Sequence, residues 1–388
     1  MSTSMNRRNW LKSSAVLASG MALSPSLMNA GHAAYRTPAS SRIWERNLFL
    51  PPDISSLKAR LLANENPYGP SEKTRLAIME SVQMGNRYGH MDAAKLKKML
   101  ADLEGVTPEH IMLGPGSSDL LEKTAMVTCM KGGNVVSADP AYMSLIRTAM
   151  AFEAEWKPVP LTSDWAHDLD GMKEAVDKDT KLVYICNPNN PTGSVTDTDK
   201  LKAFCDEVSE KTPIFVDEAY MEYRMEGRKT SLVDMVSAGK NIIVCRTFSK
   251  VHGMAGLRVG YIVALPETLQ MIRSMVRSNM GMSITSLKGA MASLEDTSFH
   301  TMTRDLTKDC REYLAGELTS MGITYIPSTT SFMMFPLQMD GEAYLAQMFS
   351  SGVGVRVFEI DDKPWCRVSM GTMDEMKLFT QTLKSVIG

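Results

Sequence analysis

The most constraining feature of this chain is an alternation of short apolar runs with helical patterns from about residue 110 to residue 265. The apolar runs are continuous and rich in Val and Ile, which is typical of strands covered by helices on both faces. Helical patterns at Asp119–Met130 and Asp197–Glu210 lie between them. This order predicts an α/β fold with a doubly wound, mostly parallel sheet. The predicted strands are Asn134–Ala138, Leu182–Cys186, Ile214–Asp217, Asn241–Thr247 and Gly260–Ala264.

The sequence divides into four predicted segments. Residues 1–33 read as an export signal, and residues 34–70, rich in Pro, Ser and Asn, read as an extended N-terminal arm. Residues 71–280 form the predicted large domain, and residues 281–388 form a smaller α+β C-terminal domain. A chain of 388 residues is long enough for two or three such units.

Composition excludes several classes of function. The chain has 42 Lys and Arg against 44 Asp and Glu, so it lacks the basic excess of a nucleic-acid-binding protein. Its 44% hydrophobic and 22% charged residues are ordinary for a soluble enzyme. The six cysteines contain no Cys-x-x-Cys pair, so the sequence predicts neither a metal site nor a redox pair, and we interpret them as buried, inert thiols.

The N-terminus has the organisation of an export signal. Residues 7–12 read Arg-Arg-Asn-Trp-Leu-Lys, the uncharged stretch 13–28 follows, and small residues gather around Ala30 and Ala33. The order resembles the bacterial twin-arginine signal, which implies a protein exported in the folded state by the twin-arginine translocase to the periplasm. The uncharged stretch is too short and polar for a stable membrane anchor. A basic arm or an amphipathic anchor is the alternative interpretation.

Polar residues follow the predicted strands where those strands end. Asn187 to Gly193 read Asn-Pro-Asn-Asn-Pro-Thr-Gly, Asp217 to Tyr220 read Asp-Glu-Ala-Tyr, and Ser249-Lys250 precede Arg258. The carboxyl ends of parallel strands open onto one crevice, where ligands bind. Singly, each motif has an ordinary explanation: a surface lysine, a helix cap, a turn or an ion pair. The occurrence of all these motifs together, in this order along the chain, is far less expected by chance than any one of them.

From about Asn64 to the C-terminus, these motifs resemble the class I/II aminotransferases, fold-type I enzymes that use pyridoxal 5'-phosphate, and within them the histidinol-phosphate aminotransferase branch. The resemblance implies that Lys250 forms the internal aldimine and moves the α-proton, because an amine is required for both steps. It implies that Asp217 keeps the pyridine nitrogen protonated. Tyr220 and Asn190 match the groups that hydrogen-bond the phenolic oxygen, and Tyr142 matches the ring stacked on the pyridine.

The resemblance also assigns the phosphate and substrate contacts. Arg367 matches the arginine that clamps the substrate carboxylate, Arg356 matches a second active-site arginine, and Asn66 is a third substrate-binding candidate. Tyr88 matches a tyrosine that reaches the phosphate from a partner subunit, which implies a homodimer. The predicted phosphate cradle comprises Gly116, Ser117, Ser118, Ser249 and Arg258, with backbone N–H groups at a helix N-terminus.

The predicted function is therefore transfer of an amino group from an L-amino acid to a 2-oxo acid. The arm reads Leu50-Pro51-Pro52-Asp53 where the histidinol-phosphate branch has a Pro-Tyr pair, so we favour a free amino acid over histidinol phosphate as donor. Two alternatives remain at this point. One is a lyase, racemase or decarboxylase with the same lysine and aspartate, and the other is a non-catalytic ligand-binding protein of the cell envelope.

Overall fold

The computed structural model describes residues 44–45, 54–276 and 281–387. The predicted export signal and residues 50–53 of the arm lie outside these residues, so both interpretations stay predictions. Among the residues described, no helix is long and apolar enough to cross a membrane.

A seven-stranded sheet forms the centre of the part of the chain that the structure describes. The strand order along the sheet is β3-β9-β8-β7-β6-β4-β5, and every neighbouring pair is parallel except those involving β9, which runs antiparallel to β3 and β8. The α/β fold with a mostly parallel sheet is confirmed. The strands are β3 Ile111–Gly114, β4 Asn134–Asp139, β5 Glu155–Pro160, β6 Thr180–Cys186, β7 Ile214–Asp217, β8 Ile242–Thr247 and β9 Gly260–Val263.

Both faces of the sheet are covered by helices, which explains the continuous apolar runs. In β6, Leu182 and Tyr184 point into one core while Val183 and Ile185 point into the other, so the strand is buried on both faces over residues 182–186. The helices of the first core are His90–Glu104, Leu169–Ala175, Thr198–Val208, Val233–Ser237 and Ile284–Leu294. Those of the second core are Ser117–Cys129, Ser144–Ala151 and Pro266–Met275. Before them comes Glu72–Ser81, whose predicted cap Ser71 accepts a hydrogen bond from the Thr74 backbone N–H.

A third core belongs to a smaller α+β unit. Its antiparallel sheet, in the order β1-β12-β13-β10, comprises β1 Trp44–Glu45, β10 Phe332–Pro336, β12 Arg356–Ile360 and β13 Lys363–Ser369. A separate parallel pair joins β2 Ala59–Arg60 to β11 Val353–Gly354. The helices are Thr297–Ser320, Gly341–Ser350 and Met373–Ile387. Ala59 and Leu61 of the predicted arm are buried in this third core, so this stretch of the arm packs within the smaller unit.

The structure also places the segment that follows residue 280. Leu287, Ala290 and Met291 of the helix Ile284–Leu294 are buried in the first core, beside the large sheet. The division of the chain at residue 280 remains a prediction. The packing shows that side chains just beyond it contribute to the large unit.

Candidate active site

A cavity of about 410 Å³ lies at the carboxyl ends of β6, β7 and β8. The segments after these strands, the start of the helix Ser117–Cys129 and the β12–β13 hairpin all contribute to its wall. Parallel strands therefore bring together residues that are far apart in sequence, as expected for an open α/β sheet. The predicted site residues that line the cavity are Ser117, Ser118, Tyr142, Asn190, Asp217, Tyr220, Ser249, Lys250, Arg258, Arg356 and Arg367.

Lys250 follows β8 and its amine points into this cavity. The Nζ atom donates a hydrogen bond to the backbone carbonyl of Asn64 at 3.1 Å and lies 5.2 Å from the centre of the Tyr220 ring. Burial and the positive charge of Arg367 lower the pKa of Lys250 to about 8. The uncharged fraction of this amine near neutral pH is therefore larger than for an ordinary lysine, and this fraction is available as a nucleophile.

Asp217 is the last residue of β7 and is almost fully buried. Its carboxylate accepts a hydrogen bond from the Ala219 backbone N–H at 3.1 Å, and the Tyr184 hydroxyl lies 3.5 Å away. Burial raises the pKa of Asp217 to about 6, although the Ala219 N–H and Lys250 oppose the rise. A buried carboxylate of this kind is stabilised by a cationic N–H partner, such as a protonated pyridine nitrogen.

An anion cradle occupies the other end of the cavity. Gly116 has a φ of +92° and precedes the helix Ser117–Cys129, whose first two residues line the cavity, and a helix N-terminus favours a bound anion. The Arg258 guanidinium donates to Ser249 Oγ at 3.3 Å and to the Ala255 carbonyl at 2.9 Å. A Cβ atom on Gly116 would lie 2.2 Å from Arg258 Nη2, so only glycine allows this approach. The cradle has the donors and the positive charge that a phosphate group requires.

Two tyrosines flank the space between the cradle and Asp217. The Tyr142 and Ser118 hydroxyls are 3.3 Å apart, and burial raises the pKa of Tyr142. Tyr220 accepts a hydrogen bond from Asn64 Nδ2 at 3.0 Å, and burial raises its pKa as well. Both phenols therefore keep their protons at neutral pH. Phosphate donors, a buried carboxylate, aromatic walls and an amine in one cavity fit pyridoxal 5'-phosphate.

The substrate end of the cavity is formed by two arginines on the β12–β13 hairpin. Arg356 and Arg367 face each other across the two strands, and the turn at Asp361 and Asp362 has φ values of +50° and +58°, as in a two-residue type I′ hairpin. Arg367 is buried. Its guanidinium donates to Asn190 Oδ1 at 2.6 Å and to the Leu62 carbonyl at 3.3 Å.

These contacts refine two of the sequence predictions. The Asn190 side-chain oxygen holds Arg367, so the structure gives Asn190 a contact on the substrate side in addition to its place in the cavity wall. The Arg367 guanidinium also lies 5.3 Å from the Phe332 ring and 5.0 Å from the Phe358 ring. A planar guanidinium fixed in this way is suited to a carboxylate.

Apart from Gly116, which lies beside Arg258 as described above, two of the predicted residues do not line the cavity. Tyr88 is 81% exposed and its ring contacts only the ring of His90 among the aromatic side chains described. Asn66 is buried, but its amide donates to the Val251 carbonyl at 2.9 Å and its oxygen accepts from the Tyr68 N–H at 3.0 Å. Asn66 therefore fixes the loop and lines a neighbouring cavity.

Sequence reasoning missed Asn64, two residues earlier in the same loop. Asn64 has a φ of +53°, donates to Tyr220, and accepts a hydrogen bond from Ser369 Oγ at 2.7 Å. It thereby joins the lysine and the tyrosine to the strand that carries Arg367. The sequence analysis named Asn66 as a substrate contact, but the sequence did not indicate which of the two asparagines in this loop enters the cavity.

A cluster of buried charges lies behind the cavity. Arg246 Nη2 is 2.9 Å from Glu218 Oε2 and 3.6 Å from Glu104 Oε2, and it donates to Ser231 Oγ at 2.8 Å. Arg228 pairs with Glu104 and, at 2.9 Å, with Glu222. Glu218 directly follows Asp217, and Arg246 lies on β8, so the cluster supports both strands that carry the site.

Comparison with known proteins agrees with this geometry. The family aminotransferase class I and II matches residues 58–383. Histidinol-phosphate aminotransferase of Moorella thermoacetica is 32% identical over 84% of this chain and 85% of that protein, and histidinol-phosphate aminotransferase 1 of Idiomarina loihiensis is 34% identical over 85% and 89%. The structure of the Sinorhizobium meliloti histidinol-phosphate aminotransferase in complex with pyridoxal-5'-phosphate is similar with a TM-score of 0.79, 27% identity and coverage of 92% and 98%.

Proposed function

This chain belongs to the class I and II aminotransferases and is a pyridoxal-phosphate-dependent transaminase, and from this premise we propose that its amino donor is a free L-amino acid. The observation that carries the proposal is the convergence of Lys250, Asp217, Arg258 and Arg367 on one cavity. When bound, pyridoxal phosphate supplies the electron-withdrawing ring that makes the substrate Cα–H bond acidic.

The protein residues have separate tasks in this reaction. The Lys250 Nζ atom takes the proton from the substrate Cα and would deliver it to the cofactor carbon that receives the amino group, which its lowered pKa allows near neutral pH. Asp217 holds the proton on the ring nitrogen, and the cradle at Arg258 holds the phosphate. Arg367, oriented by Asn190, binds the carboxylate of the amino acid and of the 2-oxo acid.

A free amino acid is favoured because Arg367 is buried and oriented by its contacts with Asn190 and Leu62. A planar guanidinium held in this way binds a carboxylate through two parallel hydrogen bonds. Histidinol phosphate has no carboxylate at its reacting carbon. The donor carboxylate and the Arg367 fork are therefore complementary in shape and charge.

The test is an absorption titration of the purified, cofactor-loaded protein with single L-amino acids. A donor should convert the visible band of the lysine-bound cofactor to that of the amine form, and a 2-oxo acid should restore it. Lys250→Ala should lack this conversion. Conversion by histidinol phosphate but by no amino acid would overturn the proposed donor. A persistent band with release of ammonia, carbon dioxide or D-isomer would instead indicate the lyase, decarboxylase or racemase alternative.

We also propose that the enzyme works as a homodimer in which Tyr88 reaches the phosphate cradle of the partner. The support is a run of exposed apolar side chains near Tyr88, with exposures of 69% for Met79, 61% for Val82 and 83% for Met91. A patch of this kind is typical of a surface covered by another protein copy.

Hybrid dimers test this arrangement. Tyr88→Ala and Lys250→Ala subunits, each with low activity alone, are unfolded together and reassembled. If Tyr88 acts across the interface, one site of each hybrid has both native residues and activity returns. No recovery in hybrids verified by mass spectrometry would contradict the proposal.

Finally, we propose that the protein is exported to the periplasm by the twin-arginine translocase. The support is the paired Arg7 and Arg8 before an uncharged stretch. The Arg7→Lys/Arg8→Lys variant should remain in the cytoplasm with its N-terminus uncleaved, whereas the native protein should appear in the periplasm in a shortened form. Equal export of both would refute the assignment.

A further inference from the structure

One carboxylate in the active-site cavity has no task in the reaction described above. Four basic side chains line the cavity: Lys250, Arg258, Arg356 and Arg367. The acidic side chains among its described lining residues are Asp217 and Glu65. Asp217 is buried at the end of β7, where it is available to the ring nitrogen. Glu65 remains as a negative charge in a predominantly positive cavity.

The backbone around Glu65 is fixed close to the reacting groups. The preceding residue, Asn64, accepts a hydrogen bond from Lys250 through its carbonyl, and its backbone N–H donates to Ser369 Oγ at 2.8 Å. The Asn64 side chain is held by Tyr220 as well. Although burial lowers the pKa of Lys250, the Glu65 carboxylate opposes this shift, which indicates that the two charges interact.

The side chain of Glu65 has an exchangeable partner. Its Oε1 atom is 3.0 Å from Arg60 Nη2, and the two side chains are 37% and 49% exposed. Arg60 belongs to the wall of a second cavity of about 330 Å³, which shares Glu65, Ala255 and Gly256 with the first. Exposed ion pairs contribute little free energy, so the carboxylate can leave Arg60 for a cation that arrives in the active site.

We infer that Glu65 is a specificity-determining residue that binds a cationic group on the side chain of one substrate. The inference rests on the proposed function, because it concerns the donor of the same transamination. With the ring nitrogen paired to Asp217 and the substrate carboxylate paired to Arg367, Glu65 is the carboxylate left to meet a second positive charge. The amino donors selected by this residue are basic amino acids with an ammonium, guanidinium or imidazolium side chain.

The test compares kcat/KM for L-lysine, L-ornithine, L-arginine and L-histidine with that for L-leucine and L-methionine, all with one 2-oxo acid. Glu65→Gln should lower kcat/KM for the basic donors by about 10- to 100-fold, which is the effect of losing a hydrogen bond to a charged group. The change should be an increase in KM. The neutral donors should change by less than about twofold. Arg60→Gln should act in the opposite direction and raise kcat/KM for the basic donors by about two- to fivefold, because the competing cation is gone.

Glu375→Gln is the matched control, since Glu375 lines the second cavity but not the first. It should leave the ratio of basic to neutral donors unchanged. If Glu65→Gln lowers activity with all donors equally, or if Arg60→Gln does not favour basic donors, the specificity role is refuted. If the native enzyme transfers an amino group from no amino acid, the proposed function itself fails, and this outcome is distinct because it precedes any comparison of variants.

Discussion

Replacing Arg246 with Met should destabilise the protein in a pH-dependent way. The guanidinium is the buried partner of Glu218 and Glu104, whose side chains are 2% and 3% exposed. Met has a similar length but no charge, so Arg246→Met leaves two carboxylates in the core with fewer partners. Removing one member of a buried ion pair costs about 3–5 kcal/mol in the free energy of unfolding.

The sign of the pH dependence follows from the carboxyl groups left behind. Burial already raises the pKa of Glu218, against the opposing charge of Arg246, whereas Arg246 and Arg228 hold the pKa of Glu104 below its ordinary value despite burial. Without Arg246, both pKa values rise in the folded state. A carboxyl group with a raised folded pKa favours folding at low pH, and this contribution is lost as pH rises. The variant should therefore be destabilised less, relative to the native protein, at about pH 5 than at about pH 8.

The assay is urea unfolding of the cofactor-loaded protein, followed by circular dichroism at several pH values, with the native protein measured in parallel. Lys202→Met is the matched control, because it breaks an ion pair with Asp234, whose side chain is 61% exposed. This control should lose less than about 1 kcal/mol at every pH. A loss of the same size in both variants, or a loss for Arg246→Met that grows as pH falls, would refute the reasoning.

Three further predictions concern the cofactor. Gly116→Ala should weaken cofactor affinity by about tenfold or more, because its Cβ would displace the Arg258 guanidinium from the phosphate cradle. Titration of the visible band measures this affinity, and an unchanged Kd would contradict the prediction. Asp217→Asn should lower kcat by about 10²- to 10³-fold through loss of a fixed charge, in steady-state assays at saturating cofactor, and a kcat near native would exclude this role. Cofactor uptake by the apoenzyme should accelerate as pH rises through about 8, where Lys250 loses its proton. Stopped-flow absorbance should show this, and an uptake rate independent of pH would argue against an attacking amine.

The strands of the large sheet that the sequence predicted are buried on both faces, but β3, Ile111–Gly114, is buried in the same way and was not predicted. β7 has the predicted bounds, Ile214–Asp217, because Ile214 and Val216 pack in the first core and Phe215 packs in the second. The apolar pattern also did not predict β5, Glu155–Pro160, which forms one edge of the sheet and contains Pro158 and Pro160. Proline is tolerated at a sheet edge, where the missing N–H is not required, but it hides the strand in the sequence.

Residues of the cavity wall could be predicted from the sequence where a strand fixes their position. They could not be predicted where a loop fixes it. Asp217 and Lys250 follow neighbouring parallel strands, so their proximity is a consequence of sheet order. Asn64 and Asn66 belong to one loop, and which of them enters the cavity depends on the left-handed backbone of Asn64. The place of Tyr88 at a partner's phosphate stays a prediction, since it concerns a second subunit.

The pairing of β2 with β11 has a consequence for how the enzyme folds during its synthesis on the ribosome. The ribosome makes Ala59 and Leu61 early, yet their partners in the third core include Val353 and Phe379, made almost last. The Asn64 backbone N–H likewise donates to Ser369, 305 residues later in the chain, so the loop that contacts Lys250 is fixed only after Ser369 has been synthesised. Contacts so distant in sequence form late. The active-site cavity is therefore incomplete in a nascent chain, and the enzyme can become active only when its synthesis is nearly complete.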